Sequence, residues 1–599
     1  MKTYRSARLR GTALIAFFFL LVLQMVQADS ATWNLNPTGG DWNTTANWTP
    51  NTVPNGPDDV ATFDVSNQSS VSLSAITEVE SILFQPDASA FTITVSSNLE
   101  LTVSGAGIQN DSGSTQTFIQ SQHGGTLTFT NSASAGQMTK FIQEKAMQTG
   151  GEVQFFNVSS AGSGTFTNQG AISEFRSGTV SFYDFSTAGD AIFTNEGQIN
   201  FNDQSNAGNA VIENKRTNLQ QATALVEFSE HSSAGNASFI NRSGLVDYSH
   251  GGVNFTRFST ADHASFVCEG TAHADGFAPG FVQFHDDSTA ANATFTIEGS
   301  EFENSSGGYV IFFDRSTADN AVIAVNDGNG LLGGGELDFW DRSTGGTAQF
   351  TVSGNGRIDF SQLQGPVMTM GSLAGSGTVN MGTKTLFLGG NNLSTRFSGR
   401  MQGSGNANLV KEGSGTFELT GPNTYLGGTT VTAGALIANN TTDSATGPGT
   451  VQVNAGTLGG RGIIAGAVTV GTGSGGGAFL APTFGRNGPS TLTLQSSLTL
   501  QGDATYTYSF KARQNRSRSD QVIANRVTIN NATIAINGTT IGQIEIGTVL
   551  TVISNTSADP ISGTFSNLAD GAIVNVSGNN FQASYSGGDG NDLTLTVVP

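Results

Sequence analysis

A row of carboxylates recurs through the middle of this 599-residue chain. Two positions before each copy of a repeated turn serine stand Asn157, Asp184, Asp203, Glu230, Arg257, Asp286, Asp314 and Asp341. If the copies stack at the ~4.8 Å spacing of paired strands, neighbouring carboxylates come close enough to share a Ca²⁺, which takes six to eight oxygen ligands. Asp184, Asp203, Glu230, Asp286, Asp314 and Asp341 are therefore candidate calcium ligands. The competing reading is structural: an Asp in a turn accepts hydrogen bonds from the amides of its own turn. Arg257 within the row, with Arg315 and Arg342 beside it, favours that reading. Gly587-Gly588-Asp589-Gly590-Asn591-Asp592 matches one unit of a glycine-aspartate calcium roll and adds Asp589 and Asp592. Such rolls hold metal between successive copies, and a single copy is more simply a tight turn.

Other reactive side chains are scattered. The histidines, His123, His231, His250, His263, His273 and His285, show no metal-ligand spacing and fall at different repeat positions; His273 and His285 flank an insert. Cleaving a glycan needs two carboxylates at a defined separation, and acids are so frequent here that no pair stands out. No catalytic residue and no cofactor other than calcium is assigned, and the expectation is a chain without catalysis. Cys268, the single cysteine, stands in a column otherwise holding Asn168, Asn195, Asn214 and Asn241. It cannot form an internal disulfide and reads as a small buried side chain. Lys511, Arg513, Arg516 and Arg518 form a basic cluster that suits an acidic partner such as a cell-envelope polysaccharide, the plainer reading being a solvated loop.

These residues hang on a repeat between Val153 and Phe350. An aliphatic column (Val153, Val180, Ile199, Val226, Val253, Val282, Val310, Leu337) is followed two residues later by Phe155, Phe182, Phe201, Phe228, Phe255, Phe284, Phe312 and Phe339. After the turn a third column runs through Phe166, Phe193, Ile212, Phe239, Phe266, Phe295, Ile323 and Phe350. The turn serines at 159, 186, 205, 232, 259, 288, 316 and 343 are 27, 19, 27, 27, 29, 28 and 27 residues apart. Period-two patterning marks short strands, and a fixed period of this size marks a solenoid whose units bury their apolar faces against each other. The predicted fold is all-β: a right-handed parallel β-helix with coils of about 27 residues, twenty or so in number. The short step falls after Asn195, and inserts at Asn218 to Ala222 and Ala272 to Gly280 occupy the same place, so the third side of the coil is the variable one.

Composition agrees. There are 78 Gly and 40 Phe, and only 12% of residues are charged, whereas disordered chains are charge-rich and aromatic-poor. Residues 1 to 28 read as an export signal, with Lys2, Arg5, Arg8 and Arg10 ahead of an apolar run to Val26. Its removal takes the formal charge from −21 to −25, which disfavours nucleic acid as a partner. The expected organisation is a signal over 1-28, a Trp-rich cap over 29-70, lead-in coils over 71-126, the Phe-rich helix over 127-360, a Gly-rich helix over 361-500 and a β-rich coil and cap over 501-599. A monomer or a side-by-side assembly is expected.

Residues 409 to 436 resemble the autotransporter-associated β-strand repeat, with hallmarks Lys411, Gly413, Gly415, Thr416, Gly421, Asn423, Tyr425, Gly427, Gly428, Thr429, Gly434 and Leu436. Trp33, Trp42 to Trp48, Pro54-Asn55 and Asp58 to Phe63 are similar to the opening segment of such exported proteins. Ser519 to Gln521, Ser562 to Phe565 and Gly587 to Asp592 are similar to their closing one. The resemblance implies a secreted or cell-surface, passenger-type bacterial β-helix with a structural or adhesive role and no enzymatic activity. Its partner would be an extracellular polysaccharide or the surface of a host or neighbouring cell. The alternative is a carbohydrate-binding or polysaccharide-degrading protein on the same scaffold. Self-translocating members add a membrane β-barrel; the residues after 436 read as more coil, so no such barrel is expected in this sequence.

Overall fold

The structure, a computed structural model, describes residues 29–96, 98–121, 124–145, 150–170, 177–215, 224–244, 250–274, 276–330, 333–514 and 516–599. The expected export signal, His123 and the insert at Asn218 to Ala222 lie outside these. The chain is an all-β solenoid of about 18 turns with coils of about 26 residues, roughly 85 Å of rod at the strand spacing. Among the described residues the one helical segment is a single 3₁₀ turn, Thr45–Asn47. None is long and apolar enough to cross a membrane.

Two parallel sheets carry the Phe-rich coils. The first pairs Glu152–Phe155, Thr179–Phe182, Gln198–Phe201 and Ala224–Phe228 in register, so that Phe155, Phe182, Phe201 and Phe228 fall in one column. The second aligns Phe141, Phe166 and Phe193 in the same way. Rings in the first column stack face to face from Phe129 to Phe339, with centroids 4.6 to 5.0 Å apart. The two columns meet edge to face, as for Phe228 and Phe239 at 5.9 Å and 77°. Burying each ring contributes roughly 1.5–3 kcal/mol, and aromatic geometry about 0.5–1.5 kcal/mol more. One apolar core runs from Ala31 to Val597.

Inside this core lies a polar ladder. Asn168 donates from Nδ2 to Asn195 Oδ1 at 3.2 Å, Asn195 to Asn214 at 2.7 Å and Asn214 to Asn241 at 2.8 Å; Asn241 reaches Cys268 Sγ at 4.0 Å. Each amide also donates to a backbone carbonyl one coil further along, such as Gly252 O for Asn214. Beyond Cys268 the column becomes Ile297, Val325 and Val352, all buried.

The variable third side is a loop pinched at its base. Gly178 N donates to Gln169 O, Gly251 N to Arg242 O, Gly280 N to Glu269 O, Gly308 N to Glu298 O and Gly335 N to Asn326 O, at 2.8 to 2.9 Å. A Cβ on Gly280 would lie 2.0 Å from Asn241 O, and one on Gly178 2.4 Å from Gln143 O, so glycine is required where the chain re-enters the coil. In the 19-residue coil the loop shrinks to Glu196 and Gly197, between strands Ile192–Asn195 and Gln198–Phe201.

From Val367 a third sheet of eight strands replaces these loops, and from Ile463 a fourth joins it. Both ends are closed. Trp33, Trp42, Trp48 and Phe63 form a buried cluster at the start, and the two-residue strand Trp48–Thr49, antiparallel to Ala31–Trp33, terminates the first sheet. Short edge strands of this kind resist end-to-end pairing. At the other end the parallel fourth sheet turns antiparallel through Val549–Asn555, Asp592–Val598, Asn579–Gly587 and Ile573–Val576.

Candidate functional site

The repeated turn forms an outward edge along the rod. Asn157, Asp184, Asp203, Glu230, Arg257, Asp286, Asp314 and Asp341 all have φ between 53° and 58°. This left-handed conformation is one that Asn and Asp tolerate better than most side chains. The conformation sends each amide to the next coil: Asn157 N donates to Asp184 Oδ2 at 2.9 Å, Asp184 N to Asp203 Oδ2 at 3.1 Å, Arg257 N to Asp286 Oδ2 at 2.9 Å and Asp286 N to Asp314 Oδ2 at 3.0 Å. The carboxylates thus serve the amide of the preceding coil rather than those of their own turn. Between Asp203 and Arg257 a different contact intervenes, the ion pair of Glu230 with Arg257 at 2.7 Å. The turn serines point inward and close the bend, Ser186 Oγ donating to Tyr183 O at 2.7 Å and Ser288 Oγ to His285 O at 2.7 Å.

Flanking the carboxylates are aromatic rings that face outward. Phe156 stacks on Tyr183 at 4.7 Å, His231 on Phe258 at 5.2 Å, and His285 on Phe313 at 4.7 Å, with Trp340 edge-on to Phe313 at 5.6 Å. Phe185 and Phe258 are more than half exposed, and Trp340 is 41% exposed. Sequence reasoning passed over the Phe, Tyr and Trp of this edge and treated His231 and His285 only as metal-ligand candidates. Their signal is positional: each lies one or three places beyond the Phe column, where period two or a turn points side chains to solvent.

Among the described residues no three His, Cys, Asp or Glu side chains are grouped to hold a metal ion. Asp592 and Gly587 pair across the hairpin turn that joins the last two strands, and Asp592 Oδ1 accepts from Asn555 N at 2.9 Å. Asp589 lies in that turn. His273 lies in the loop before Phe281–Phe284, while His285 belongs to the turn edge, where burial lowers its pKa. Cys268 is fully buried, and burial pushes its thiol up to about 12, so it carries no thiolate at neutral pH.

A second cluster, also absent from the sequence reading, sits where the Phe-rich coils end. Arg357 lies 3.1 Å from Asp359, 3.4 Å from Glu336 and 3.8 Å from Asp338. Burial drives the Asp338 carboxyl up to about 7, against the pull of Arg357. Asp338 and Asp359 are register partners on adjacent coils, a relation that requires knowing which residues stack.

The segment over 409–438 spans two successive coils, Asn408–Lys411 stacking on Thr429–Val431 and Thr416–Leu419 on Ala435–Ala438. Lys411 occupies a column between Leu388 and Val431 and is 1% exposed. Its ammonium donates to the carbonyls of Glu412, Gly413 and Ala433, and burial lowers its pKa to about 8. Asn423 bridges coils, accepting from Met401 N at 2.7 Å and donating to Ala445 O at 2.6 Å. Tyr425 is buried with its hydroxyl 2.6 Å from Thr429 Oγ1. Gly421 and Gly427 lie where a Cβ would come within 2.3 Å of a carbonyl of the preceding coil.

Comparison with known proteins agrees with this geometry. A family model described as Passenger-associated-transport-repeat matches residues 409–438. A stretch of 122 residues, 19% of the chain, is 43% identical to part of the adhesin BmaC autotransporter of Brucella suis biovar 1 (strain 1330). That match spans 3% of the relative's length. The crystal structure of the Haemophilus influenzae Hap adhesin aligns over 92% of this chain and 65% of its own, at 12% identity and a TM-score of 0.27, a likeness too distant to build on. Lys411, the bridging Asn423, the buried Tyr425 and the close-approach glycines therefore lie in the segment that matches the passenger-associated transport repeat, which this chain carries as an integral part of its solenoid.

Proposed function

We propose that this chain is a secreted or cell-surface rod with a structural or adhesive role, displaying the turn edge to surfaces it meets. The observation that carries this reading is the exposed edge on a continuous core, where carboxylates stand on most coils and outward rings on several. An array of weak contacts set at coil spacing gains avidity without a deep pocket. The transport-repeat segment and the similarity to a protein named as an adhesin support the same reading. Catalysis has no part in it. The test is adhesion of beads coated with residues 29–599 to bacterial or host cells, compared with beads carrying Phe258→Ser/Trp340→Ser. Both side chains are exposed, so the variant folds normally, and adhesion is expected to fall severalfold. Equal adhesion by both kinds of bead, or none by either, would count against the edge as the adhesive surface.

One observation favours polysaccharide cleavage as a second reading: Asp338, held near neutrality, neighbours Asp359 and the Arg357 guanidinium, the residue types of a glycan-cleaving pair. Release of reducing ends from acidic polysaccharides by the parent and not by Asp338→Asn would establish it.

A further inference from the structure

The long strand Ala504–Arg513 pairs antiparallel with Arg516–Ser519, a hairpin at the edge of the second sheet. Its register sets Lys511 directly opposite Arg518 and Arg513 directly opposite Arg516. All four side chains are exposed on one face of the hairpin, and alternate residues Phe510 and Ala512 are buried on the other. Like charges directly across a strand pair are destabilising. Two such pairs in succession, none joined to a carboxylate by any ion pair among the described residues, are a local conflict of the kind that proteins retain at functional sites.

The surroundings extend this charge. Arg461 and Arg486 join Arg518 in lining a cleft beside the hairpin. From residue 444 to residue 519 the chain carries these six cations and one acid, Asp503. The Asp503 carboxylate is taken up by the amides of Thr472, Gly473 and Gly475. The loop bearing Arg486 is held in place from beneath. Asp520, 0% exposed, accepts from Thr483 Oγ1 and Ser490 N at the loop's two ends and from Ser509 N on the long strand. Lys511 Nζ is tied to Asn487 O at 2.8 Å. On the same outer face, past Ser509 and Thr507, lie the half-exposed rings of Phe479 and Phe484. A preorganised row of cations beside an apolar ring platform matches a chain of sugar rings bearing carboxylates: guanidinium forks engage carboxylates, and aromatic faces take the apolar faces of the rings.

We infer that this groove binds an anionic polysaccharide of the uronate class. The inference names a ligand for the adhesive reading above and rests on that reading only for its biological setting. Nucleic acid and anionic membranes fit less well, because their dense, extended charge would meet the strongly acidic body on both sides of a short basic stretch.

The test uses residues 29–599 with polygalacturonate as probe and dextran, duplex DNA and phosphatidylcholine–phosphatidylglycerol vesicles in parallel. Binding to polygalacturonate is expected, weakening at least about tenfold between 50 and 300 mM NaCl as the charges are screened. Arg516→Glu/Arg518→Glu converts both like-charge pairs into opposite-charge pairs. It is expected to abolish binding while melting at or above the parent's temperature, a combination that a purely structural hairpin would not show. Lys140→Glu, an exposed charge on the Phe-rich coils, is expected to bind as the parent does. Should the double variant misfold, Arg516→Gln/Arg518→Gln decides instead. Unchanged binding by a folded variant, equal retention on dextran, or tighter binding to DNA or vesicles overturns the inference. Failure on polygalacturonate while coated beads still adhere through the aromatic edge overturns it and leaves the adhesive reading standing.

Discussion

The Phe-rich coils and the Gly-rich coils that follow solve the same stacking problem with different chemistry. In the first, most coils offer the same side chains at the same places, so cohesion comes from columns: rings on rings, amides on amides, carboxylates on the preceding coil's amides. In the second, a third sheet replaces the pinched loops, and glycines bring backbones close enough for single residues to bridge them, as Lys411 and Asn423 do. A repeated column draws its stabilisation from large apolar side chains buried on one another. A coil of individual bridges draws it from single hydrogen bonds, each of smaller worth.

The sharpest way to break this contrast is to interrupt a column. Phe228→Ala removes a ring stacked on Phe201 and Phe255 and edge-on to Phe239, and should cost about 3–5 kcal/mol, read as a fall in unfolding midpoint in denaturant. At the junction of the two regions, Asp338 tests a buried charge. Its folded pKa of about 7 lies above the ordinary 3.8, so the folded state holds the extra proton across that window. Stability should therefore decline as pH rises from about 4 to 7 and remain low above it, with a ceiling of about 4 kcal/mol. Asp338→Asn should abolish this decline and be the more stable protein at pH 8 in thermal melts. In the Gly-rich coils, Lys411→Met keeps the apolar stem and leaves three carbonyls without their donor; a loss of about 1–3 kcal/mol is expected. A loss as large as that of Phe228→Ala would erase the distinction between the regions. The smallest effect is a gain. Ala291 holds φ 48° at a turn position where Gly162, Gly189, Gly208 and Gly235 stand in other coils, and Ala291→Gly should stabilise by up to about 1 kcal/mol.

Much of this architecture was legible in the residue order, and the reasons are physical. Period-two strands with a Phe every 27 residues leave little besides stacked coils, and Phe182, Phe228 and Phe255 stack as that pattern requires. The segment around Lys411 declared its kinship through glycines that a backbone crossing demands. Other features needed the register. The carboxylate row was visible, but the direction of its hydrogen bonds depends on a left-handed turn that aims each amide at the next coil. Arg357 gathers Glu336, Asp338 and Asp359 only because two particular coils are adjacent. Lys511, Arg513, Arg516 and Arg518 stood out as a run, whereas Arg461 and Arg486 join them through folding alone. Lys411 gave no hint of burial, since its long apolar stem passes for a surface side chain until its neighbours Leu388 and Val431 are known.

The glycine at the foot of each third-side loop has a practical consequence. Because Gly178 or Gly280 closes its hydrogen bond regardless of what is carried above it, each loop is a self-sealed port on a rigid frame. Foreign peptides spliced between Gln169 and Gly178, or between Glu269 and Gly280, would be held at fixed intervals along a stiff scaffold, which makes the rod a natural ruler for multivalent display.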